Sequence, residues 1–60
     1  MITKGDLLKV SGRLALADSE LFTKYSHQHG SWSNHVKVIF TDNGATTIVN
    51  LAGGEVQKLS

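Results

Sequence analysis

The chain reads as a small all-β domain, a strongly bent sheet or partly open barrel, and two stretches carry that expectation. Val36-Lys37-Val38-Ile39-Phe40 and Ala45-Thr46-Thr47-Ile48-Val49-Asn50-Leu51 are β-branched, apolar runs on either side of Asn43-Gly44. Asn-Gly between alternating hydrophobic runs is the strongest local hairpin signal. Short segments elsewhere, separated by Gly-containing turns, favour a barrel over a layered helix–sheet domain.

From the N-terminus, the even positions Leu8, Val10, Leu14 and Leu16 are apolar, with Gly12 completing the series. This alternation predicts one half-buried strand over residues 8 to 16, bent or bulged at Gly12. A helix competes, because Thr3 and Asp6 imitate a capping box, but Gly5 and Gly12 weaken it. Asp18-Ser19 offers a turn or a helix cap. Residues 19 to 25, with Leu21, Phe22 and Tyr25, fit a short helix or a strand. Residues 26 to 34, Ser-His-Gln-His-Gly-Ser-Trp-Ser-Asn, read as an exposed loop or hairpin tip.

A two-residue type I′ turn at Asn43-Gly44 sets Phe40 opposite Thr47, Val38 opposite Val49 and Val36 opposite Leu51. These six side chains then form one coherent buried face. Ala52-Gly53-Gly54 is a tight turn, and Val56 with Leu59 suits a 3₁₀ turn or a short closing strand.

The series Val36-x-Val38-x-Phe40-x-Asp42-x-Gly44-x-Thr46, followed by Val49, Leu51 and Leu59, resembles the second half of Tudor-type SH3-like barrels. Those domains commonly run apolar-x-apolar-x-Phe-x-Asp-Tyr-Gly. The opening Lys4-Gly5-Asp6-Leu7-Leu8-Lys9-Val10 is similar to the Gly-Asp start of many SH3-like barrels. The resemblance covers about half the chain and implies a small SH3-like, partly open barrel. It stops short of the methyl-ligand cage of Tudor domains, because the cage aromatic between Asp and Gly is here Asn43. A cage needs several converging rings, and with Phe40 in the core only Phe22, Tyr25 and Trp32 remain. The alternative fold is a winged-helix-like α+β arrangement, with helices over residues 3 to 11 and 19 to 29 and the hairpin as wing.

Sixty residues make a single domain, 1–60, near the lower limit for folding unaided. No cysteine is present to cross-link it or to build a Cys-based zinc site. Self-association is expected, because burying surface between copies supplies what so small a core lacks. Six basic and five acidic residues leave a formal charge of +1, and the basic residues form no run. A membrane span and an apolar leader are both lacking from the sequence, so the expected location is cytoplasmic. The size suits a bacterial or phage accessory protein.

Three groups of residues could carry function. Trp32, between two serines, fits a partner's pocket or a stacked base, or folds back as a lid. In the expected register Ile39 and Ile48 are paired on the outer face, which suits contact with another chain; with Tyr25 they complete the partner-binding set. Lys9, Arg13, Lys24 and Lys37 are the candidates for nucleic-acid phosphates. His27, His29 and His35 lie within nine residues and would make an open metal site if a loop at 30–34 brought His35 opposite His29. No nucleophile elbow or phosphate loop points to an enzyme, and no cofactor is implied. The function expected from these residues is a non-enzymatic module that binds a protein partner and associates with itself. The alternatives are weak nucleic-acid binding and a His-based metal-dependent role.

Overall fold

Residues 2–28 and 30–60 are described by the structure, a computed structural model. Six strands follow in order: β1 (Leu7–Val10), β2 (Arg13–Ala17), β3 (Phe22–Ser26), β4 (Ser31–Phe40), β5 (Thr46–Asn50) and β6 (Val56–Lys58). A 3₁₀ turn, Leu51–Gly53, links the last two, and no α-helix occurs among the described residues. The fold is all-β, a curled sheet that forms a small, SH3-like, partly open barrel. The helices of the winged-helix alternative are absent from it, and residues 22 to 26 are strand.

β4 is the spine. At about 3.3 Å per residue, its ten residues account for nearly the whole 33 Å length of the molecule. Val38 and Ile39 pair with both β2 and β5, and His35 pairs with both β3 and β5. β5 therefore lies along one edge of β4, while β2 and β3 follow one another along the other. The step between them is pinned at Lys37, whose carbonyl accepts from the Asp18 N–H at 2.7 Å and whose N–H donates to Ser19 Oγ at 3.1 Å. β1 pairs with β2, and β6 with β1.

The expected single strand over residues 8 to 16 is instead a hairpin. Ser11 and Gly12 have φ of 49° and 83°, the doubly left-handed signature of a type I′ turn, and Val10 faces Arg13. Paired residue numbers across this two-residue turn sum to an odd number, so even positions of β1 share a face with odd positions of β2. Leu8 thus faces Ala15 and is buried, whereas Leu14 and Leu16 point outward, contrary to the alternation read through the turn.

At Asn43-Gly44 the loop holds four residues rather than two. The Phe40 N–H donates to the Ala45 carbonyl and the Gly44 N–H to the Phe40 carbonyl, both at 2.8 Å. Gly44 alone in this loop is left-handed, with φ 73°; Asn43 uses its side chain, Oδ1 accepting from the Ala45 N–H at 2.9 Å. Contacts to β2 explain the wider loop. The Thr41 N–H and hydroxyl both donate to the Leu14 carbonyl, at 3.1 and 3.3 Å, and Arg13 grips Asp42. Both residues are held against β2, so pairing with β5 begins at Ala45. Val36 consequently faces Val49, and Val38 faces Thr47, a shift of two residues that leaves every side chain on its expected face.

The core fills the concave side: Leu8, Val10, Ala15, Ala17, Val36, Val38 and Phe40, with Ile2, Leu21, Val49, Leu51 and Val56 packed against it. Thr47, expected within it, is exposed. Within residues 26 to 34, the expected loop, only 27, 28 and 30 among the described residues lie outside strand. Val56 belongs to the short closing strand, not to a 3₁₀ turn.

Candidate partner-binding surface

The parity inversion at Ser11-Gly12 places an apolar band on the convex face. Leu7 faces Leu16 across β1 and β2, and Leu16 faces Ile39 across β2 and β4. Leu14 lies one step along β2, and Ile48 lies on β5. Leu14, Leu16 and Ile48 are 48%, 42% and 49% exposed, while Leu7 and Ile39 are half-buried. Ile39 and Ile48 do not face each other as the two-residue loop required: Ile39 faces Thr46 and Ile48 faces Lys37. They remain diagonal neighbours on one face. Lys9, opposite Leu14, and the Lys37–Asp18 pair at 3.7 Å border the band.

Tyr25 and Trp32 occupy a different surface. β3 and the first half of β4 form a two-stranded arm in which Tyr25 faces Trp32. Their rings meet edge to face, centroids 5.5 Å apart, and His27 packs edge-on to Tyr25 at 5.1 Å. Trp32 is 67% exposed, so it does not close over the core as a lid. Even positions of β4 point to the concave side and odd positions to the convex, so Trp32 and Ile39 lie on opposite faces. The four partner-binding residues thus divide between two surfaces.

The basic residues do not converge. Arg13 points to the concave side, where its guanidinium lies over Phe40 and its Nε and Nη2 donate to the Asp42 carboxylate at 3.2 and 2.9 Å. Those hydrogen bonds are the main cause of an Asp42 pKa held below the usual carboxylate value. Lys37 pairs with Asp18. Lys9 and Lys24, on separate strands, carry no ion pair among the described residues.

The histidines are also apart where they are described. Residues 31 to 35 pair with 22 to 26, so His35 faces Phe22, not the residues after β3. Its ring stacks on Phe22 at 6.0 Å, and its Nδ1 lies 3.1 Å from the Ser33 carbonyl oxygen. His27 follows β3 at its far end, about 16 Å along the strand at about 3.3 Å per residue. His29 lies outside the described residues. Among the described residues, no three His, Cys, Asp or Glu side chains are grouped to hold a metal ion.

A cleft of about 570 Å³ opens between the arm and the end of β5. Ser31 and Ser33 line one side, and Asn50, Ala52, Gly53 and Glu55 the other. The Ser33 hydroxyl oxygen is buried there, without a hydrogen-bond partner among the described residues. Sequence reading missed this cleft, and it missed Leu14 and Leu16 as surface residues. A Ser-Gly pair recognised as a two-residue turn would have exposed the two leucines. No helix among the described residues is long and apolar enough to cross a membrane. No protein-family model, curated protein or solved structure matches this chain.

Proposed function

We propose that this chain is a non-enzymatic, cytoplasmic interaction module that binds protein and associates with itself through the convex face of its sheet. The observation that supports this reading is the band Leu7, Leu16 and Ile39, contiguous across three strands and extended by Leu14 and Ile48. Scattered exposed apolar residues need no explanation, but contiguous ones rimmed by charge mark an interaction site. A chain of this size also gains stability by burying such a band against a second copy.

Sedimentation velocity tests it. Wild type sediments as a dimer or larger species at about 100 µM, and Leu16→Lys, at the centre of the band, shifts it to monomer. Far-UV circular dichroism checks that the variant stays folded. A wild-type protein that remains monomeric at that concentration overturns the reading.

One observation favours a second reading. The exposed Trp32 indole, on the same arm as Lys24, offers a stacking surface for a single-stranded base. Arg13 and Lys37 are engaged by carboxylates, which weakens it. Quenching of Trp32 by oligothymidine at low salt, lost as salt rises, would support nucleic acid; no quenching at low salt would exclude it.

A further inference from the structure

The β3–β4 arm carries a second exposed face, on the side of the sheet opposite the convex band. Side chains alternate along both strands. Tyr25 and Trp32 therefore share this face with Thr23 and Asn34, the next pair inward, and all four residues are exposed. Lys24 and Ser33, the pair between them, point the other way.

The two pairs differ in chemistry. At the outer pair, Tyr25 meets Trp32 edge to face and His27 in turn meets Tyr25, so ring contacts hold the indole while leaving most of it open. The inner pair, about 7 Å along the strands, offers a hydroxyl and an amide. Neither Thr23 nor Asn34 spends its side chain on a hydrogen bond among the described residues. No charged side chain of β3 or β4 lies on this face. A phosphate chain stacked on Trp32 finds no strand cation there, and an ammonium group finds no carboxylate.

What fits is an uncharged ligand with one apolar face and a rim of hydroxyls. A pyranose ring has both. Its axial C–H bonds, slightly positive, suit the electron-rich face of the indole. Its hydroxyls donate and accept, and so do the Asn34 amide and the Thr23 hydroxyl.

We propose that this face of the arm binds a neutral oligosaccharide of equatorially substituted pyranose units. One ring stacks on Trp32, and its hydroxyls bond to Asn34 and Thr23. The site shares no residue with the convex band and does not depend on self-association.

The test titrates cellohexaose into the folded protein, read by tryptophan emission, which reports Trp32 alone, and by amide chemical shifts. One stacked ring with a few hydrogen bonds gives a dissociation constant on the order of 1 mM. Emission moves to the blue, and the Thr23, Tyr25, Trp32 and Asn34 amides shift. Binding is unchanged in about 0.5 M sodium chloride, since no charge pair is there to screen. Trp32→Ala abolishes it. Asn34→Ala, which keeps the ring contacts, weakens it roughly three- to tenfold, and the Val36 and Val38 amides show that each variant is folded. No shift at about 20 mM sugar, shifts confined to Leu14, Leu16 and Ile39, or binding unaltered in Asn34→Ala or Trp32→Ala overturns the proposal. So does oligothymidine that shifts the Trp32 and Asn34 amides where cellohexaose does not, which gives the ring to nucleic acid.

Discussion

The guanidinium of Arg13 lies over the ring of Phe40, its Cζ 3.9 Å from the ring centroid. The same group makes a two-pronged hydrogen bond to Asp42, so one side chain ties the start of β2 to the end of β4 and covers that end of the core. Arg13 is thereby a structural residue in the first instance. A lysine in its place keeps the charge but loses the planar fork.

Acid should loosen this clasp. Asp42 is held below its usual pKa first by the Arg13 hydrogen bonds, and Asp6 first by the Thr3 N–H at 2.9 Å, with Lys58 adding to it. A depressed carboxylate contributes stability that is complete above its unfolded value, about 3.9, and is lost as pH falls through the folded value. Thermal midpoints should be flat from about pH 7 to 5 in this respect and fall below about pH 4. The fall should be smaller in Asp42→Asn, which has one fewer such group to protonate. An equally steep acid limb in that variant would show that the pair carries none of the dependence.

The two Gly-containing turns should respond oppositely to the residue before the glycine. Ser11 is held at φ 49°, a region that asparagine tolerates better, so Ser11→Asn should stabilise by about 0.5–1 kcal/mol. Asn43 is not left-handed and contributes through its Oδ1 bond to the Ala45 N–H. Asn43→Ala should therefore cost about 0.5–1.5 kcal/mol. Urea denaturation of the two variants measures both; a loss of stability in Ser11→Asn would contradict the type I′ assignment.

Leu8 and Leu14 share a face in a simple alternating strand and lie on opposite faces in the hairpin. Leu8 is fully buried, so Leu8→Ala should cost about 2–5 kcal/mol, enough to unfold much of so small a domain. Leu14→Ala should change monomer stability by no more than about 0.5 kcal/mol, while weakening self-association. Comparable losses for the two in dilute, monomeric protein would place Leu14 in the core.

The face assignments of β4 and β5 were legible because side-chain direction has a period of two. Val36, Val38, Phe40 and Val49 keep the concave side whether the loop holds two residues or four. The loop length itself was not legible, because it depends on Thr41 and Asp42 bonding to Leu14 and Arg13, residues far away in the chain. At Ser11-Gly12 the difficulty was local: an alternating apolar pattern reads the same through a tight turn as through a bend. For Trp32 the serine neighbours left an exposed ring and a lid over the core equally open, and only the strand pairing of the arm decides for the exposed ring. The cleft was not legible, because its walls come from the β3–β4 arm on one side and from β5 and the chain after it on the other.

By itself the sequence determined the strand-rich class, the hairpin in the second half and the residues that face its core, since each follows from a local period or turn preference. Tertiary structure decided which turn is type I′, how far β5 runs along β4 and which leucines reach the surface. Those outcomes depend on how strands pair across the sheet, and pairing is settled by long-range hydrogen bonds and packing that no single segment contains.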